Sequence, residues 1–202
     1  MEIKEKRGHI RERVLRVLLN HPNGELTQYK LAKLVDGAFS WVHDTLKGLE
    51  KRKLIEGTTV RKYKELFLLW KDWKIMPKNR EYMVRDPLDM LSKIEMKYAL
   101  TTYSAENLVQ GYLFPSRVDF YIDPKDLKKW HDILSEKGLV GKGNVRILMT
   151  DKHVFYNSFV KNGLTLVSMP QLIVDLLTEG LVAVEAAEKL LEKEEKNSVS
   201  KL

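Results

Sequence analysis

Three short apolar stripes at helical spacing, each closed by a turn signal, constrain the fold of this 202-residue chain more than any other feature. The first is Ile10, Val14, Val17 and Leu18, with Arg11, Arg13 and Arg16 on other faces, and His21-Pro22-Asn23-Gly24 ends it. Thr27 is a good N-cap for a second helix whose stripe is Leu31, Leu34 and Val35, stopped by Asp36-Gly37. Ser40, another capping residue, opens a third helix with Val42, Leu46 and Leu49 on one face. Short helices in this order, with a tight second turn, predict a helix-turn-helix.

Beyond the third stripe the period changes. Residues 54–60 are apolar and β-branched, Arg61-Lys62-Tyr63-Lys64 is basic, and 66–70 is a second apolar run. That pattern predicts a hairpin with a cationic tip, which turns the unit at 1–70 into a winged helix-turn-helix. The stretch Leu46-Lys47-Gly48-Leu49-Glu50-Lys51-Arg52-Lys53-Leu54-Ile55 resembles the passage from recognition helix to wing in MarR-like and related archaeal and bacterial regulators. Lys53 stands where that family usually has Gly, and a non-Gly residue held left-handed there costs roughly 1 kcal/mol.

Charge is the one part of the composition that bears on function. Residues 1–64 hold 15 Lys and Arg against 8 Asp and Glu, whereas the rest of the chain holds 20 against 20, so the net +7 sits wholly in the N-terminal part. A basic unit joined to a neutral one suits a module that binds a polyanion, because Lys and Arg contacts to phosphate supply most non-specific affinity for nucleic acid. With Val42, Leu46 and Leu49 turned inward, Ser40, Trp41, His43 and Lys47 are expected to reach base edges of double-stranded DNA. Thr27, Gln28 and Lys30 at the start of the second helix, and Arg61, Lys62 and Lys64 on the wing, are expected near phosphates. Asp44 would repel phosphate and is left out of the site.

Several chemistries find no support. The chain has no cysteine, which removes disulfides, thiolate metal sites and thiol nucleophiles. No run approaches the roughly 20 apolar residues of a membrane span, and residues 1–7 lack a signal-peptide core, so a cytoplasmic protein with no membrane partner is expected. The sequence has no Gly-rich phosphate loop and no Gly-x-Ser-x-Gly elbow, and histidines 9, 21, 43, 131 and 153 form no i, i+4 pair. No catalytic residue, cofactor or metal is therefore assigned, and the chain reads as a non-enzyme. Asp119 has Tyr121 as its same-face neighbour, a poor start for a metal site, and Asp151-Lys152-His153 reads as a turn.

The remainder predicts a second domain. Residues 71–86 read as a polar, irregular connector, and 87–196 as a mixed α+β unit with three or four strands and C-terminal helices, followed by a disordered tail at 197–202. Pro87 suits the first turn of a helix to about residue 97, and a short helix follows over 104–110. Strands are expected at 117–122, 144–150 and 153–160. Asp123-Pro124 starts a helix that Gly138 closes, Asn162-Gly163 marks a hairpin, and Ser168 with Gln171 has capping-box spacing. Gly180 separates the last two helices.

Residues Tyr98-Ala99-Leu100-Thr101-Thr102-Tyr103-Ser104-Ala105-Glu106-Asn107-Leu108, the strand at 117–122 and Leu166-Val167-Ser168-Met169-Pro170-Gln171-Leu172-Ile173-Val174-Asp175-Leu176-Leu177 together resemble the AbiEi family of antitoxins and regulators from type IV toxin-antitoxin systems. Thr102 stands where that family often has Gly. The resemblance implies an α+β fold with an N-terminal winged helix and a sequence-specific DNA-binding repressor or autorepressor. It also implies an alternative, an antitoxin whose C-terminal domain neutralises a nucleotidyltransferase-like toxin while DNA binding serves autoregulation. Operators of winged helices are commonly two-fold, so a homodimer or two monomers on an inverted repeat is expected.

Overall fold

The computed structural model describes residues 7–199, with side chains through residue 196, and shows a mixed α+β protein. The first stripe lies on α1 (Arg7–Asn20), the second on α2 (Gln28–Val35) and the third on α3 (Phe39–Lys51). The Thr27 hydroxyl caps α2 by accepting from the Lys30 amide at 3.2 Å. Leu31, Ala32 and Val35 are buried, but Leu34 falls outside the covered stripe and is exposed. Ser40 is no cap: α3 begins one residue earlier, after Ala38, and no side chain closes its first turn.

The expected hairpin is shorter and differently ended. Strand β1 (Ile55–Glu56) pairs antiparallel with β2 (Thr59–Val60), and Asn23 bridges to Thr59. The turn is pinned down on both sides: the Thr58 hydroxyl donates to the Leu26 carbonyl at 2.5 Å, and the Gly57 amide donates to Glu50 at 2.9 Å. Arg61, Lys62 and Lys64 therefore do not form a hairpin tip. They lead into α4 (Tyr63–Trp73), where Tyr63, Leu66, Phe67 and Trp70 follow the i, i+3, i+4, i+7 spacing of a helix and are all buried. The unbroken apolar run at 66–70 hid that period.

In the C-terminal half, β3 (Lys78–Val84), β4 (Tyr98–Thr101), β5 (Val118–Ile122), β6 (Gly138–Val140), β7 (Val145–Met149), β8 (Phe159–Lys161) and β9 (Leu164–Leu166) form one sheet ordered β6-β3-β7-β5-β4-β9-β8. Pairs β5/β7 and β4/β9 are parallel and the other neighbours antiparallel. The sheet is thus wider than the three or four strands expected, and residues 71–86 are the end of α4 followed by β3. Only the end of the strand expected at 153–160 is extended, in β8; it opens instead in a 3-10 turn (Lys152–Phe155), where the Asp151 carboxylate accepts from the His153 amide at 3.1 Å.

The helices of this half are α5 (Pro87–Ser92), α6 (Thr102–Gln110), α7 (Leu127–Glu136), α8 (Met169–Glu179) and α9 (Val182–Val199). The first of these stops at Ser92, short of residue 97. Asn162 (φ 52°) and Gly163 (φ 75°) make the left-handed two-residue turn their types favour. Ser168 precedes α8 without a side-chain cap, since Gln171 is drawn into a buried network instead. Helix α9 continues to Val199, and the rest of the expected tail lies outside the described residues.

Alternation along β5 sorts the two faces of the sheet. Phe120 packs with Tyr98 and with Trp130 of α7, whereas on the other face Tyr121 donates to Asp175 of α8 and Asp119 accepts from Thr102 at the start of α6. Every residue of α8 from Pro170 to Leu177 is buried, as befits a helix enclosed by the sheet, α1, α4, α6 and α9. Lys53 (φ 57°) and Thr102 (φ 49°) are both left-handed.

Helix α1 joins the two halves. Arg13 is ion-paired with Asp151, and Arg16 donates to Gln171 at 2.8 Å, lies 3.1 Å from His153 Nδ1 and stacks over Trp70. Glu12 accepts from the Ile75 amide at 2.9 Å and from Trp70. Further in, Asp175 of α8 receives Lys74, Thr101, Tyr121 and Gln171. A single apolar core runs through both halves.

Candidate nucleic-acid interface

The exposed surface of the N-terminal half is organised by α3. Val42, Leu46 and Leu49 are buried, which holds the opposite side of the helix outward, and Ser40, His43 and Lys47 are exposed there. Helix α3 packs on α1, α2 and β1, all within its own half. In its leading turn Ser40 is exposed.

Trp41 behaves differently from the other three residues expected on this face. It is half-buried against the core, and the Arg7 guanidinium lies 5.5 Å from its ring centre, so it belongs to the flank of the helix. Phe39, not singled out in the sequence, is 55% exposed and stacks on His43 with ring centres 6.3 Å apart. Its i, i+4 relation to His43 was the available signal, obscured by placing the helix start at Ser40.

The start of α2 lies beside this face. Thr27 and Lys30 are exposed and Gln28 is half-buried, with Tyr29 62% exposed and the Lys33 ammonium 4.7 Å from its ring. The Thr27 hydroxyl accepts from the Lys30 amide and keeps its own hydrogen to donate outward. The three remaining cations are not all gathered in. Arg61 is bound by Glu56 at 2.6 Å, Lys64 faces Glu188 of α9 at 3.6 Å, and Lys62 is exposed just before α4.

The buried polar groups at the junction are structural in their geometry. His153 Nε2 meets the Leu34 carbonyl at 2.9 Å while Nδ1 faces Arg16, which assigns the proton to Nε2. Burial, with Arg16 beside it, holds this imidazole down to about 4. Asp119, fully buried, is clasped by Arg117 and Arg146 and by the Thr102 hydroxyl at 2.6 Å, and both arginines continue to Glu179. Its oxygens are therefore already filled with donors.

Among the described residues no group of three or more His, Asp or Glu is arranged to hold a metal, and no helix is long and apolar enough to cross a membrane. Comparison with protein-family models, with curated proteins and with solved structures gives no match to this chain.

Proposed function

We propose that the protein is a sequence-specific DNA-binding regulator whose N-terminal half acts as a winged helix-turn-helix with a much reduced wing. The observation that carries this reading is the open outer side of α3, where Ser40, His43 and Lys47 are exposed while Val42, Leu46 and Leu49 anchor the helix. The charge distribution supports it, since all of the net positive charge lies within residues 1–64. The leading turn of α3 enters the major groove, with His43 and Lys47 toward base edges and Phe39 against a thymine methyl or sugar. Lys30, Lys62, Thr27 and Gln28 hold phosphates, while Arg61 and Lys64 contribute less because each faces a carboxylate. Two copies on an inverted repeat would match a two-fold operator.

Selection of genomic duplexes by the full chain, followed by anisotropy titration on the selected and on random sequence, tests the assignment. His43→Ala should narrow the difference between the two duplexes. Lys62→Ala should weaken binding to both and flatten the salt dependence. Equal losses on both duplexes for both variants would defeat the division of roles.

A further inference from the structure

A second feature of the N-terminal half is a cavity of about 280 Å³ on the flank of α3. Its walls are Trp41 and Trp73, with Arg7, Arg11 and Arg52 around them and Asp44 at one side. Arg7 lies over Trp41 at 5.5 Å, and Arg11 and Arg52 lie over Trp73 at 5.2 and 5.5 Å, so stacking on indole fixes where the guanidinia sit. Among the described residues none of these three arginines is ion-paired, unlike Arg13 and Arg117 elsewhere. Three guanidinia against one carboxylate leave the lining with a net charge of +2.

Gly48 adds an independent observation. It lies in the middle of α3 and lines this cavity, and a Cβ built there would meet nothing within 4 Å. A mid-helix Gly is less favourable than Ala by roughly 1 kcal/mol, and here neither packing nor a positive φ calls for it. Its missing side chain leaves that part of the cavity wall without a side chain to occupy it.

We propose that this cavity binds a small phosphate-bearing molecule of about mononucleotide size, its phosphate held by Arg7, Arg11 and Arg52 and a hydroxyl or amine donating to Asp44. Arg favours this chemistry because its planar fork matches phosphate oxygens. The size is near the lower end of the roughly 300–1,000 Å³ typical of small-molecule pockets, and the walls are concave where a DNA backbone contact needs none. The residues Trp41, Thr45, Gly48 and Arg52 also lie about a third of a turn around α3 from Ser40, His43 and Lys47. The cavity is therefore distinct from the face assigned to bases, and the site stands whether or not α3 enters DNA.

Tryptophan fluorescence, excited beyond the adenine absorption band, reads the site directly through Trp41 and Trp73. The full chain, without DNA, is titrated with AMP, with inorganic phosphate and with adenosine at constant ionic strength. A saturable change with AMP or phosphate and none with adenosine is expected. Arg11→Gln and Arg52→Gln should each weaken it by about tenfold, the worth of one charge-assisted hydrogen bond. Gly48→Leu should keep or raise the melting temperature while abolishing the response, which separates filling of the cavity from damage to the fold. No saturable response in the folded wild-type chain would overturn the proposal. So would a response indifferent to Gly48→Leu, or an absent response combined with arginine variants that flatten the salt dependence of duplex binding, since the arginines would then serve the DNA backbone.

Discussion

Helices α1 and α3 both belong to the basic N-terminal half, yet they use their charges in opposite ways. On α1, Glu12, Arg13 and Arg16 are buried, Arg13 and Arg16 being paired across the junction with Asp151, Gln171 and His153 while Glu12 accepts from Trp70. On α3, His43 and Lys47 point into solvent. Net charge therefore overstates what is available to a polyanion: some of the positive excess is bound into the core, and only the part left open can attract phosphate. Substitutions at the junction should change stability without changing recognition, and those on α3 should do the reverse.

The largest effect is expected at Asp175, which receives a buried ammonium and three neutral donors. Asp175→Ala leaves Lys74 charged and unpaired inside the protein, so urea unfolding should show a loss of about 3–5 kcal/mol. The fraction that remains folded should bind duplex DNA as before. A loss of DNA affinity matched by no loss of stability would erase the contrast between the two helices.

Next comes pH. His153 has its proton affinity lowered to about 4 in the folded protein, against about 6.5 unfolded, so between those values the unfolded chain binds more protons. Stability is then full above pH 6.5 and falls as pH drops toward 4, by on the order of 3 kcal/mol. His153→Gln should flatten this slope in denaturant titrations run across the range. A slope that survives the substitution would place the titrating group elsewhere.

On the open side of the comparison, Lys47→Ala should cost about 1–3 kcal/mol of affinity for a selected duplex and leave the urea midpoint unchanged. The smallest effect is at the end of the same helix. Lys53 is exposed and left-handed, so Lys53→Gly relieves backbone strain and should raise stability by about 0.5–1 kcal/mol, since the gain is partly offset by the freer unfolded chain. The same change at Thr102, also left-handed, should not stabilise as much, because it removes the hydroxyl that donates to Asp119.

These positions also show what was legible in the sequence. Local signals were readable wherever the answer depended on neighbours in the chain: the stripe of α3, the Thr27 cap, the Asn162-Gly163 turn, the strand at Val118–Ile122. The left-handed backbone at Lys53 and Thr102 is not marked by residue type, since neither Lys nor Thr favours that conformation. Reading failed where burial removed periodicity. Tyr98–Thr101 is buried on both faces and shows no alternation, and the run inside α4 looked like a strand until Tyr63 was counted with it. The junction was out of reach for another reason: Arg16 and Gln171 are partners across 155 positions, and nothing local marks either as half of a pair. Of the candidate site, Ser40, His43 and Lys47 are exposed on α3. Trp41 went to the flank because its ring packs on the core, and the supposed wing cations separated because the chain turned into a helix.

The salt dependence of duplex binding tests the central claim most directly. Anisotropy titrations of the full chain over a range of salt should give a straight line of log affinity against log salt, and replacing Lys30 and Lys62 together should lower its slope by about 0.9 for each phosphate that is no longer neutralised. Binding that ignores salt, or a slope that the paired replacement leaves unchanged, would contradict the account.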